Sequence, residues 1–153
     1  MKIKYYLEAD ALRVGCSFEP PRDGDAGYDI CAAQDVYIYG VDWKKNKGNN
    51  RAIISTGLHV QIPDGFVGIL KDRSSLASKA LTISAGVIDP SYLGEILVIM
   101  QNNHYGGYKI SAGNRIAQML VVPYLYVDTE QVDSLYDFDE TTRGDQGFGS
   151  TGI

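Results

Sequence analysis

Residues 52–70 read AIISTGLHVQI, then PDG, then FVGIL. The two apolar runs are rich in β-branched residues, which fit a pleated, half-buried surface. Neither has the length or the 3.6-residue period of an amphipathic helix. Pro63, Asp64 and Gly65 are three turn formers in a row. The stretch therefore reads as strand, turn, strand. Outward from it the same grammar recurs. Further β-prone runs stand at residues 3–7, 36–39, 82–84, 95–101, 108–111 and 116–126, with Gly106-Gly107 as another turn. Glycine occurs 17 times and proline five times. This pattern predicts an all-β domain, a barrel or a sandwich. One short helix is expected at residues 76–80, capped by Ser74 or Ser75. A second is expected at 130–136, where Val132, Leu135 and Tyr136 share a face.

At 153 residues the chain has the size of one domain. A chain of that size buries about 70% of its unfolded surface. Apolar residues make up 44% and charged residues 22%, which excludes disorder as the whole account. No apolar run approaches the ~20 residues of a membrane span. The first residues, MKIKYY, carry no apolar signal region, so a cytoplasmic protein is expected. Cys16 and Cys31 are too few for a disulfide framework and read as reduced thiols. The net charge is −5, and from Asp128 onward seven acids face the single base Arg143. This balance argues against a nucleic-acid binder, which needs a basic footprint.

Several chemistries lack their residues. There is no P-loop and no G-x-S-x-G. The two histidines, His59 and His104, are not in metal-binding spacing, and no C-x-x-C exists to hold zinc.

Five stretches remain that combine glycine, hydroxyl residues and isolated charges. Residues 26–30, AGYDI, form a tight turn with Asp29 at its exit. Residues 72–77, DRSSLA, place the donor fork of Arg73 beside Ser74 and Ser75, an arrangement suited to phosphate. Residues 86–95, GVIDPSYLGE, read as a hairpin whose arms are residues 87–88 and 96–100. Asp89 leaves its strand as the chain turns, and Tyr92 projects from that turn. Residues 113–119, GNRIAQM, put Arg115 and Gln118 into an apolar strand, where polar groups need partners. Residues 143–152, RGDQGFGSTG, form a glycine-rich tail with one isolated aromatic, Phe148. Glycine lets backbone N–H groups approach a polyanion closely. Residues 40–50, GVDWKKNKGNN, stand apart as a basic, exposed loop.

In this order the five stretches resemble the five motifs of the trimeric deoxyuridine triphosphate nucleotidohydrolases, the dUTPases. The resemblance spans residues 26–152. It implies a distorted β-barrel or jelly-roll, with residues 1–136 as the catalytic domain and 137–153 as a mobile arm. It implies a homotrimer with active sites at subunit interfaces, each closed by an arm from another subunit. The implied reaction is dUTP plus water to dUMP plus pyrophosphate, with Mg²⁺ as cofactor. Asp89 is then the general base. Gly86, Ile88, Tyr92, Leu97 and Phe148 contact uracil and deoxyribose. Arg73, Ser74, Ser75, Gln118, Arg143, Gly149, Ser150 and Thr151 hold the triphosphate. Asp29 meets the metal through water. Neither nucleic acid nor membrane is implied as a partner.

The chain departs from the family pattern at four places. Asp72 and Ser75 stand for Pro and Gly, Asn114 for Asp, and Gln146 for Gly. Asp72 is expected to set a negative charge beside the phosphates. Asn114 removes one expected ion pair with an arginine. Two other readings share the motifs. A dCTP deaminase of the same fold needs a glutamate on the strand at residues 96–100, which reads ILVIM. A nucleotide-sensing trimer could use the basic loop, through Lys44, Lys45 and Lys47, as a partner surface.

Overall fold

The computed structural model describes residues 2–41, 50–142 and 144–145. The elements run β1 (Lys4–Leu7), α1 (Ala9–Arg13), β2 (Tyr28–Cys31), β3 (Val36–Ile38), β4 (Arg51–Gln61), β5 (Phe66–Lys71), α2 (Ser74–Ala77), β6 (Leu81–Ser84), β7 (Val87–Ile88), β8 (Glu95–Asn102), β9 (Tyr108–Ile110) and β10 (Arg115–Pro123). One 3₁₀ turn follows at Leu135–Asp137. The strands form two four-stranded sheets, β1-β4-β8-β6 and β2-β10-β5-β7, with β3-β9 as a two-stranded ribbon. Pairing is antiparallel throughout. This is the expected all-β class, a distorted jelly-roll.

The turn at residues 63–65 does form, closed by the Phe66 N–H on the Pro63 carbonyl at 3.1 Å. Its strands do not pair with each other. It carries the chain from the first sheet into the second, which makes it the corner of a sandwich.

The core lies between the two sheets. Along β8, Ile96, Val98 and Met100 are buried while Leu97 faces outward, the period of two that a half-buried strand requires. Ile54, Leu58 and Val60 of β4 meet them, and Leu70, Ile116, Ala117 and Met119 come from the opposite sheet. The two buried polar side chains among the described residues, Thr56 and Asn102, are both hydrogen-bonded. Asn102 donates to the carbonyls of Gly106 (2.8 Å) and Ile38 (3.3 Å) and accepts from the His104 N–H (2.9 Å). It thereby ties the β3-β9 ribbon to the first sheet.

Three expectations change. The helix at 76–80 starts earlier, at Ser74, and no serine caps it: Arg73 stands at the N-cap position without a side-chain bond. The helix at 130–136 does not form. Leu135 and Tyr136 stay exposed, so the proposed apolar face has nothing to bury against, and local bonds between Ser134, Tyr136 and Asp137 close a single 3₁₀ turn. The chain at 86–100 is not a paired hairpin, because β7 belongs to the second sheet and β8 to the first.

Cys16 and Cys31 are free and buried together with Ala11. Burial, and then the neighbouring Cys31, push the Cys16 thiol up to about 11, so it is protonated at neutral pH. The β10–β5 register ends at the pair Pro123↔Phe66, closed by the Tyr124 N–H on the Gly65 carbonyl at 3.0 Å.

Candidate active site

The second sheet gathers residues that are far apart in sequence. On β10, Gln118 lies opposite Asp29 of β2 on one side and Lys71 of β5 on the other. One strand thus aligns the first, second and fourth stretches. The Asp29 carboxylate accepts from Arg73 Nε and Arg115 Nη1, each at 3.1 Å. Arg73 Nη1 also reaches the Arg115 carbonyl at 3.3 Å. Gln118 Nε2 donates to the Asp72 carbonyl at 2.8 Å. Ser74 and Ser75 are exposed beside them, and their hydroxyls hold no partner among the described residues. Together these groups line an open cavity of 590 Å³, whose other wall is formed by residues 17, 19–22 and 25–27. It contains three arginines, Arg22, Arg73 and Arg115, and three acids, Glu19, Asp25 and Asp29.

Asp72 does not face this cavity with its charge. Its Oδ1 accepts the Ile83 N–H at 2.7 Å, so the carboxylate points to β6 and satisfies a backbone donor. Such a bond contributes about 1–3 kcal/mol. The charge expected beside the phosphates is thus turned toward β6 through one of its two oxygens. Asn114 is likewise turned to the backbone, where its Oδ1 accepts the Ser111 N–H at 3.0 Å. The arginine beside it, Arg115, finds its carboxylate in Asp29 instead.

The third stretch builds a separate cleft of 220 Å³. β6 runs beside β8 only as far as the pair Ser84↔Ile99. Ala85 (φ 63°) and Gly86 (φ 113°) then turn the chain away into the second sheet. A side chain at Gly86 would meet Leu70 Cβ at 2.8 Å, so glycine is required by both conformation and space. Beyond that point the edge of β8 at residues 95–98 facing away from β4 has no strand neighbour among the described residues. β7 has β5 on one side only. The cleft is the gap between these two open edges, and Gly86, Ile88, Asp89, Tyr92 and Leu97 all line it. Unpaired backbone donors and acceptors at a strand edge seek partners, and a planar base with a polar rim can provide them.

Asp89 is exposed at the corner of the cleft, and its carbonyl accepts the Tyr92 N–H at 3.1 Å. The Tyr92 ring folds back over Gly94, where a Cβ would lie 2.5 Å from its hydroxyl, and that hydroxyl donates to the Glu95 carbonyl at 2.9 Å. Glu95 Oε1 accepts from the Ser55 hydroxyl (2.5 Å), the Gly57 N–H (2.8 Å) and the Thr56 N–H (3.0 Å). Burial pushes this carboxyl up, but the three donors and nearby His59 outweigh burial and hold it below its ordinary value. It is therefore ionised at neutral pH. The stabilisation it gives is lost only as pH falls through that lowered value.

The two cavities share no lining residue. Gln118 is level with Lys71 on β5, whereas Ile88, beside Asp89, is level with Gly68. Three residues along β5, about 10 Å, and two strand spacings across the sheet, about another 10 Å, separate them. Within one chain the structure thus brings Asp29, Arg73, Ser74, Ser75 and Gln118 together. It brings Gly86, Ile88, Asp89, Tyr92 and Leu97 together elsewhere. Arg143, Phe148, Gly149, Ser150 and Thr151, and the departure at Gln146, lie outside the described residues. So do Lys44, Lys45 and Lys47. Sequence reasoning left Arg115 undecided and missed Arg22 and the anchoring role of Glu95. An arginine in an apolar strand was the one signal for Arg115, while Glu95 depends on its bonds to the neighbouring strand β4 and Arg22 on a loop brought to the cavity wall.

Comparison with known proteins agrees with this geometry. The dUTPase family model matches residues 16–152. The deoxyuridine 5'-triphosphate nucleotidohydrolase of vaccinia virus (strain Copenhagen) is 39% identical over 130 residues, covering 85% of this chain and 81% of that protein. The Arabidopsis thaliana enzyme of the same name is 38% identical, covering 84% and 71%. Among solved structures, Staphylococcus bacteriophage 80alpha dUTPase with dUpNHpp superposes with a TM-score of 0.83 at 29% identity, over 99% of each chain. A mutant dUTPase from S. aureus phage phi11, whose structure reveals a coordinated structural Mg(II) ion, gives 0.74 at 28% identity, over 88% of this chain and 99% of that one. With all five motifs in order on a matching jelly-roll, this chain belongs to the dUTPase family.

Proposed function

We propose that this dUTPase builds each active site from two copies of the chain, the cleft of one working with the arginine cavity of another. The reaction is hydrolysis of dUTP to dUMP and pyrophosphate. The observation that carries the shared site is the separation of the two cavities, each holding half of the groups the reaction needs. The cleft is lined by exposed apolar side chains, Val87 (66% exposed) and Leu97 (44%). In water these favour burial against a further copy. A homotrimer gives three such sites by cyclic symmetry.

In this reading uracil enters the cleft edge-on and pairs with main-chain groups near Gly86 and Leu97. A cytosine there would leave buried donors and acceptors mismatched, at about 1–3 kcal/mol per group. Ile88 and Tyr92 wall the deoxyribose and leave no room for a 2′-hydroxyl, and Phe148 stacks on the base. Asp89 takes a proton from water as that water attacks the α-phosphorus. The bond from the α-phosphorus to the bridging oxygen breaks, and pyrophosphate leaves. Arg73, Ser74, Ser75 and Gln118 hold the triphosphate, with Arg143, Gly149, Ser150 and Thr151 closing on its far end.

The residues present suit Mg²⁺ bound mainly through phosphates and water. No group of three His, Cys, Asp or Glu side chains forms a protein cage among the described residues, and Mg²⁺ retains several waters in such sites. Asp29 is the carboxylate placed to accept from those waters. Bound Mg²⁺ offsets phosphate charge and sets phosphate geometry. The arginine cavity has equal numbers of acids and bases, so it leaves a triphosphate uncompensated without a cation. Asp29 pairs with Arg73 and Arg115 in this structure, which keeps both guanidinium groups extended toward the cavity.

The deaminase reading is not favoured, since Glu95 is committed to three donors and is the sole acid of the β8 stretch 95–102. No helix among the described residues is long and apolar enough to cross a membrane. The direct test is pyrophosphate release with Mg²⁺ from dUTP, dCTP, dTTP and UTP. Release from dUTP alone is expected. Ammonia from dCTP would move the chain to the deaminase branch. Binding of dUTP without turnover would favour a signalling trimer.

A further inference from the structure

The two arms of the cleft share no ladder bonds, because β7 pairs with β5 and β8 pairs with β4 and β6. In a paired hairpin the backbone ladder sets the distance between arms. Here the distance must be set by something else, and several contacts converge on Glu95. Its carbonyl holds the Tyr92 hydroxyl at 2.9 Å. Its carboxylate holds Ser55, Thr56 and Gly57 of β4. Thr56 and Gly57 sit in the irregularity between the pairs Ser55↔Leu97 and His59↔Glu95, with Ser55 at its start, where β4 advances four residues against two of β8. The irregularity is itself rigid. Thr56 is buried, and its hydroxyl donates to the Ile96 carbonyl at 2.6 Å and accepts the Leu58 N–H at 3.1 Å.

We propose that Glu95 is a positioning residue that sets the width of the cleft and, through Tyr92, the discrimination of dUTP from UTP. The inference rests on reading the cleft as the nucleoside subsite. Tyr92 is held at two points, by its N–H on Asp89 and by its hydroxyl on Glu95. The second point depends on how Glu95 is seated on β4, where the register pair His59↔Glu95 holds its backbone and the carboxylate adds the bonds to Ser55, Thr56 and Gly57. Without the carboxylate, the Thr56 and Gly57 N–H groups lose their acceptor, and the base of the cleft and the Tyr92 ring relax outward. That makes space for a 2′-hydroxyl. Asp89 follows β7, whose ladder to β5 is independent of Glu95, so the chemical step is spared.

The test measures kcat and KM for dUTP and UTP on the wild type, Glu95→Ala, Glu95→Gln, Ser55→Ala and Tyr92→Ala, with folding checked by thermal melting. Glu95→Ala is expected to narrow the dUTP-to-UTP ratio of kcat/KM by about tenfold, mainly by gain on UTP. Its kcat on dUTP is expected to stay within about threefold of the wild type. Glu95→Gln retains an acceptor oxygen and should restore most of the ratio. An unchanged ratio in folded Glu95→Ala, or equal losses on both nucleotides, overturns the proposal. Should Glu95→Ala fail to fold, Ser55→Ala removes one donor and carries the same test, with a partial narrowing expected and an unchanged ratio overturning it. Tyr92→Ala keeps the two failures apart. If it also leaves the ratio unchanged, the nucleoside reading of the cleft falls. If it abolishes selectivity while Glu95→Ala does not, only the role of Glu95 falls.

Discussion

Asp89→Asn is expected to lower kcat on dUTP by about 10²- to 10⁴-fold, the range a positioned general base supplies. KM should change little, and the protein should stay folded. The reasoning is local. The Asp89 side chain is exposed and makes no structural bond among the described residues, while its backbone carbonyl closes the turn with the Tyr92 N–H. Asparagine keeps the size, the turn preference and the carbonyl, and removes the proton acceptor. Steady-state kinetics beside equilibrium binding of a non-hydrolysable dUTP analogue checks this. Full turnover in the variant would remove Asp89 from the mechanism. Lost binding as well as lost turnover would make it a ligand-holding group instead.

Removal of residues 143–153 is expected to leave a folded oligomer with kcat/KM on dUTP reduced by about 10²-fold, because closure over bound substrate excludes water and completes the site. Among the described residues, the core cluster and the partly buried side chains packed against it end at Val121, well before the deleted segment. The melting temperature should therefore match that of the full chain. A truncated enzyme as fast as the full chain would refute the closing arm. A fall in melting temperature matching the fall in rate would make the segment structural.

The fold class was legible where periodicity was strong. The apolar run at residues 96–100 marked a strand, and β8 lies there, but the run did not say that Ile96, Val98 and Met100 would be the buried face. The PDG turn at 63–65 was also legible, but not its consequence, since a turn does not say whether its strands pair or part. That is why residues 86–100 read as a hairpin: the departure of β7 into the other sheet depends on pairing with β5, a non-local contact. α1 gave no signal, since five residues hold too little helical period to register. In the site, the residue types were readable and their directions were not. Asp72 looked like a charge beside the phosphates, yet a backbone N–H eleven residues later, on Ile83, takes its carboxylate. Asp29 and Arg115 looked unrelated, yet β2 and β10 lie side by side and join them.

A shared site pairs the Asp89 cleft of one copy with the Arg73 cavity of another. Mixing two inactive variants, Asp89→Asn and Arg73→Ala, after unfolding and co-refolding tests it most directly. A site that draws Asp89 and Arg73 from different subunits is intact in about a quarter of cases when the two variants assemble at random. The mixture should then recover about a quarter of wild-type activity on dUTP, with mixed oligomers seen by native mass spectrometry. Mixed oligomers no more active than the two variants apart would place both halves of the site in one chain and contradict the account.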